Sequence, residues 1–224
     1  MDEASLSRLA AITEAAGASS APLLAATAAT AATAATAAAN GAAGAKDGTG
    51  LRVVVLVEGM SDRSALITLA ARRGRDLERE GAFVVPMGGA TNIGHFLDLF
   101  GPAGLGARLA GLCDQGEEDG FRRSVERAGL RWTGFFVCVA DLEDEMIRAL
   151  GAPAVEEVIE AAGERGPFRT FTRQPFQRDR SRAQQLRRFM GTRSGRKVRY
   201  GQLLASALDL TRVPDPLDAL LAAI

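Results

Sequence analysis

Residues 51–58 read LRVVVLVE, an unbroken β-branched apolar run that ends in a carboxylate. A strand apolar on both sides of its pleat must be covered on both faces, the condition of a parallel sheet packed between helices. The following residues supply that alternation. A turn at Gly59-Met60-Ser61 leads into DRSALITLAARRG, where Ala65, Leu66, Leu69 and Ala70 mark one helical face and Gly74 can end it. AFVVPM is a second strand and Gly88-Gly89 its turn, before a helix in IGHFLDLFG. ARLAGLCD is a third strand, 117–128 a helix, WTGFFVCVA a fourth strand, and LEDEMIRALG the next helix. This spacing predicts an α/β fold with a mostly parallel four-stranded, Rossmann-like sheet flanked by helices. After Gly151 the pattern is helical, over 153–162, 176–190, 200–210 and 216–224.

The 224 residues suit one domain with an appendage. The expected division is 1–50, a short amphipathic helix (4–16) and an Ala/Thr-rich disordered linker; 51–150, the sheet domain; and 151–224, an Arg-rich helical extension. The triplet repeat in LLAATAATAATAATAAANGAAG has too few large side chains to offset the entropy of ordering it. Its uncharged stretch holds only two leucines, so no membrane span is expected. The acidic start Met1-Asp2-Glu3 is unlike an export signal. Neither Cys113 nor Cys138 sits in a metal-binding spacing, and both read as buried small hydrophobes. A reducing cytoplasm is the expected location.

Net charge is zero, with 27 basic and 27 acidic residues, but the signs are segregated. Residues 114–164 hold 13 acids and 5 bases, whereas 165–200 hold 12 bases and the single acid Asp179. Arg and Lys at that density repel one another unless a polyanion or the acidic half compensates. Interleaved aromatics, Phe168, Phe171, Phe176, Phe189 and Tyr200, read mainly as the core of helical segments, although aromatics can also stack on unpaired bases.

Ligands of open parallel sheets bind beyond the carboxyl ends of the strands, and three of the four predicted strands end in acid. These are Glu58, with Asp62 four residues later; Asp114; and Asp141, with Glu143 beyond it. Asp62 alone reads as a first-turn helix acid, and Glu117, Glu118, Asp119, Glu143, Asp144 and Glu145 suit helix starts or solvated faces. Glu58 and Asp114 follow buried strands directly, where a carboxylate is costly unless paired or bound to a cation. Carboxylate oxygens on neighbouring strand ends suit Mg²⁺ or Mn²⁺, and two such ions can serve phosphoryl displacement.

The stretch VVVLVEGMSDRSAL resembles the first motif of Toprim domains, a strand-ending Glu followed by Gly and, four positions after the Glu, an Asp. Within that fold the OLD (overcoming lysogenization defect) type is the nearer resemblance, through EG-x-SD, VPMGGATNIGHF, GLCD, Asp141-Leu142-Glu143 and Gly195-Arg196-Lys197. The resemblance implies a Toprim-like fold and a metal-dependent endonuclease acting on DNA. It also implies Glu58 as metal ligand and catalytic group, Asp62, Asp114, Asp141 and Glu143 as metal residues, paired Mg²⁺ or Mn²⁺ ions, and Lys197 as a catalytic charge near phosphate. Lys197 is one of only two lysines, the other being Lys46. The third strand departs from the family pattern, reading Asp114-Gln115-Gly116 where D-x-D is usual.

Arg178, Arg182, Arg187, Arg193, Arg196 and Lys197 are the expected nucleic-acid contacts. OLD proteins usually join this domain to an ATPase, and no G-x-x-x-x-G-K-[ST] phosphate loop occurs in these residues. The expected partners are therefore DNA, a separate ATPase subunit and, in a homo-oligomer, further copies of this chain. The missing second Asp supports an alternative, a non-catalytic module that binds nucleic acid or an ATPase. A topoisomerase route would need a nucleophilic tyrosine, and the sole Tyr200 has no such setting.

Overall fold

The computed structural model describes residues 51–193 and 195–224. The helix expected at 4–16 and the linker at 17–50 lie outside the described residues. Four strands, β1 (Val53–Val57), β2 (Ala82–Pro86), β3 (Arg108–Asp114) and β4 (Phe135–Cys138), form one sheet in the order β2-β1-β3-β4. All pairings are parallel.

The alternation of β1 shows why both faces are covered. Val53, Val55 and Val57 pack on one side, and Val54 and Leu56 on the other. The second side meets α2 (Ile93–Phe100) and α3 (Glu118–Arg127) through Phe96, Leu97, Phe100, Phe121 and Val125. The first side meets α1 (Met60–Arg72) and α4 (Leu142–Leu150), together with α5 (Ala152–Ala161), α6 (Arg165–Thr172), α7 (Arg182–Met190), α8 (Arg196–Ala207) and α9 (Asp215–Ala223). The helices beyond Gly151 thus share one apolar core with the sheet. Among the described residues, no helix is long and apolar enough to cross a membrane.

Four elements differ from the sequence expectation. β4 stops at Cys138, so Asp141, expected to end that strand, instead caps α4, and α8 starts at Arg196 rather than at 200. A helix, α6, occupies 165–172, where the three arginines, the glycine and the proline between 165 and 173 hide the apolar pair Phe168 and Phe171. The helix expected over 176–190 is broken at Ser181, whose side chain caps α7 and whose backbone N–H donates to Gln184 Oε1. A separate 3₁₀ turn, Pro175–Gln177, precedes it. Capping chemistry, weaker in a sequence than periodicity, sets that boundary.

The chain leaves β1 for β2 on one side, then crosses back to β3 on the other. Helix α1 and helix α3 consequently cover opposite faces. Beyond the carboxyl ends of β1 and β3 this reversal opens a crevice, the usual ligand position in such sheets.

Two glycines make the close approaches that this arrangement needs. A Cβ on Gly111 in β3 would stand 2.6 Å from the Leu56 carbonyl oxygen and 3.2 Å from the Phe135 ring. A Cβ on Gly201 in α8 would stand 2.6 Å from the Ser61 carbonyl oxygen, so glycine lets α8 lie directly on the start of α1. Gly201→Ala is expected to cost about 1–3 kcal/mol in denaturant unfolding through overpacking against backbone. Gly120→Ala, on α3 where a Cβ meets nothing within 4 Å, is expected to stabilise by about 0.5–1 kcal/mol. Equal effects of the two substitutions would contradict the close α1–α8 contact.

Candidate metal centre

Glu58 follows β1 directly, and its carbonyl oxygen accepts from Gly89 N–H at 3.1 Å. Gly89 has φ 130°, open to glycine alone, so the Gly88-Gly89 turn after β2 folds over the end of β1. Asn92 pins the same turn, its Nδ2 donating to the Met87 carbonyl at 2.9 Å.

Asp62 lies in the first turn of α1 and is buried. Its Oδ2 accepts from Gly59 N–H at 2.8 Å, so the helix-start role expected of an isolated acid is present. Its Oδ1 has only a long contact from Ser61 Oγ, 3.4 Å. Burial comes first among the forces raising its pKa to about 6, with the Glu58 charge adding to it. Gly59 N–H and Lys197 oppose the rise.

Asp114 ends β3 on the opposite side of the crevice. Burial raises its pKa to about 7, helped by the charges of Glu58, Asp141 and Asp62. Glu143, in the first turn of α4, is 1% exposed. Its Oε2 lies 3.2 Å from Lys197 Nζ, but off the angles a hydrogen bond requires, so neither carboxylate oxygen has a hydrogen-bond partner. Burial, opposed by Lys197, raises its pKa to about 7. Lys197 keeps its charge because Glu143 and Asp62 outweigh the burial that works against the ammonium.

Glu58, Asp62, Asp114, Glu143 and Lys197 therefore share one electrostatic neighbourhood, assembled from β1, α1, β3, α4 and α8. Asp141 borders it with both oxygens engaged. Its Oδ1 accepts from Asp144 N–H at 2.8 Å as the cap of α4, and its Oδ2 accepts from Arg187 Nε at 2.5 Å. Of the two acids that follow the departure from D-x-D, Glu118 is paired with Arg122 at 2.6 Å and Glu117 is exposed.

The donor set suits a hard divalent cation: every candidate is a carboxylate, and Glu143 holds two buried oxygens without hydrogen bonds. Among the described residues, no three His, Cys, Asp or Glu side chains stand in ready-made ligand geometry.

The expected phosphate contacts divide into two groups. Arg178 and Arg193 are exposed, and Arg182 and Arg187 lie at the surface in ion pairs with Glu156 and Asp141. Arg196 is a correction to the sequence reading. It is 6% exposed, stacks on Phe189, and donates to Glu164, Thr192 Oγ1 and the Phe189 carbonyl, which leaves it no surface for phosphate. Tyr200 is fully buried and donates to Glu164 at 2.8 Å, as an interior residue rather than a nucleophile. The role of Glu164 is not visible in the sequence, because an acid at the end of a helix usually faces solvent. The apolar pair Phe168 and Phe171, a few residues further on, is the local hint of a core beneath it.

Residues 51–115 match the family described as "Overcoming lysogenization defect protein-like, TOPRIM domain". Among solved structures, the C-terminal region of the Burkholderia pseudomallei OLD protein is similar at TM-score 0.57 and 23% identity, covering 77% of this chain and 96% of that one. The C-terminal region of the Xanthomonas campestris pv. campestris OLD protein gives 0.58 and 24%, covering 78% and 92%. At these identities the likeness is one of fold, and it extends through the helices after β4. No curated protein matches the chain.

The raised carboxyl pKa values carry a pH signature. Between pH 4 and about 7 the folded protein holds protons on Asp62, Asp114 and Glu143 that the unfolded chain has released. The native state binds more protons there, so this contribution to stability falls as pH rises through that window. A divalent cation favours the ionised forms and opposes the loss. Added Mg²⁺ or Mn²⁺ is expected to raise the Tm more at pH 8 than at pH 5, and Asp114→Asn to reduce the increment. A pH-independent increment would contradict the assignment.

Proposed function

Because residues 51–115 carry an OLD-like Toprim domain, we propose that the protein is a metal-dependent endonuclease that hydrolyses phosphodiester bonds in DNA. The observation that carries this reading is the buried, hydrogen-bond-free carboxylate of Glu143 facing Lys197 beside the strand-end acids. Glu58, Asp62, Asp114 and Glu143 would hold Mg²⁺ or Mn²⁺, which when bound supplies Lewis-acid activation of the phosphodiester and of water. Glu58 and Asp114 stand at the carboxyl ends of the adjacent strands β1 and β3. Asp62 is oriented by Gly59 N–H, which leaves its second oxygen with only the long Ser61 contact.

Lys197 places a compact cation at the same cleft, suited to neutralising charge that develops on a phosphate oxygen. Its side chain is half-exposed, so a substrate phosphate can take up the contact now made to Glu143. Arg178, Arg182, Arg187 and Arg193 would hold the backbone, contacts that position without reading sequence. Asp141 acts as a positioning residue, joining the start of α4 to Arg187. An ATPase, if the reaction is coupled to one, would come from another subunit.

A second reading, a non-catalytic module that binds nucleic acid or an ATPase, is favoured by one observation: β3 ends in Asp114-Gln115-Gly116, without the second acid of D-x-D. Cleavage of supercoiled plasmid by purified protein separates the two. The expected result is nicking with Mg²⁺ or Mn²⁺ and none with EDTA. Glu58→Gln should abolish nicking with the fold intact, and Lys197→Ala should slow it about a hundredfold or more. Undiminished cleavage by Glu58→Gln would overturn the metal assignment. DNA binding without cleavage under any condition would select the module.

A further inference from the structure

Among the aromatics of the basic segment, Phe168, Phe189 and Tyr200 are buried and Phe171 is half-buried, but Phe176 is 61% exposed. It is one of three large exposed hydrophobics among the described residues. An aromatic ring left in water forgoes its burial energy, and here no helix or strand covers it.

The ring is held on a firm turn. Gln177 N–H donates to the Gln174 carbonyl at 2.9 Å and Arg180 N–H to the Gln177 carbonyl at 3.2 Å. Arg180 Nε donates to the Phe176 carbonyl at 3.2 Å, and Gln185 Nε2 of α7 donates to the Gln177 carbonyl at 2.8 Å. The turn is thus fastened to α7 within one helical turn of Arg187, the residue bonded to Asp141 at the edge of the metal centre.

Charge around the ring is equally distinctive. Arg165, Arg182, Arg187, Arg196 and Lys197 pair with acids of the preceding half. Arg173 and Arg178, which flank Phe176 in sequence, are exposed and make no ion pair among the described residues. An uncovered ring flanked in sequence by two exposed arginines without ion pairs is the composition of a site for a stacked base and its phosphates.

We propose that Phe176, with Arg173 and Arg178, is a stacking platform for an unpaired base, and that α7 leads that single strand toward the acidic cleft. A duplex offers no open base face to the ring, because its bases already stack on one another, so the platform selects a single strand, a flap or a frayed end. The proposal rests on nucleic acid being the substrate and is independent of cleavage.

Binding in EDTA tests it, with a fluorescently labelled oligonucleotide, an abasic strand of the same length, and a duplex. Phe176→Ala is expected to weaken binding of the base-containing strand about tenfold or more, leaving the abasic strand and the duplex unchanged. Arg178→Ala should weaken all three alike. Phe176→Trp should keep the affinity and show fluorescence quenched by the base-containing strand. An unchanged single-strand affinity of Phe176→Ala overturns the platform and assigns the ring to a protein contact. Equal weakening of the abasic strand also overturns it. If the wild-type protein binds none of the three ligands, the nucleic-acid reading fails as well; if it binds them and Phe176→Ala changes nothing, only the platform fails.

Discussion

The burial of several carboxyl groups together at the carboxyl edge of the sheet, with their mutual repulsion added to it, is the constraint around which this chain is arranged. Glu58, Asp62, Asp114 and Glu143 arrive from separate elements at one end of the sheet, where burial first and neighbouring negative charge second oppose the ionisation of Asp62, Asp114 and Glu143. A fold under no demand but stability would place apolar or paired groups there, since unpaired buried charge is among the most destabilising features a protein can carry. One ammonium, Lys197, offsets part of the repulsion, and it does so through proximity without a hydrogen bond to Glu143. The imbalance is of the kind that a bound cation relieves, which ties the stability of the site to its occupancy.

The position of that ammonium depends on structure far from the sheet in sequence. Helix α8 reaches the start of α1 because Gly201 removes the side chain that would strike the Ser61 carbonyl. Its first turn is fixed by Arg196, which is bonded to Glu164 and stacked on Phe189, while Tyr200 donates to the same Glu164. Lys197 lies between these two contacts in sequence, so the buried ion pair beneath it and the glycine one turn beyond together determine where its side chain emerges. The adjacent Arg196 and Lys197 therefore have opposite duties: one is spent on the interior, the other faces the cleft.

Much of this is legible in the residues. The unbroken apolar run of β1 requires two covered faces, and the acids that end β1 and β3 stand where the sheet order reverses. Periodicity does not reveal which arginines are buried, because a guanidinium enters the interior only when a particular acid comes from elsewhere, as Glu164 does for Arg196. Nor does it reveal that Asp141 is engaged by Arg187, forty-six positions away. The segment 165–190 misleads a sequence reading for a related reason: its apolar positions are few and their partners lie on other helices, so α6 has almost no signal of its own. Tertiary pairing, rather than local propensity, carries the information in that stretch.

The zero net charge acquires a physical meaning from these pairings. Acidic and basic halves meet along α4, α5, α7 and α8: Asp141–Arg187 and Glu143–Lys197 join the helical layer to the start of α4, and Glu156–Arg182 and Glu164–Arg196 lie within the helical layer. Compensation is incomplete at both ends of that contact. At one end carboxylates outnumber the single lysine; at the other, the exposed Arg173 and Arg178 flank the exposed Phe176 in sequence. A phosphodiester strand, the substrate of the proposed function, would find positive charge at the arginines and would need a metal ion to meet the acids without net repulsion. On the proposed function, these two regions would serve two parts of one ligand assembly, a metal ion at the acids and a phosphodiester strand at the arginines.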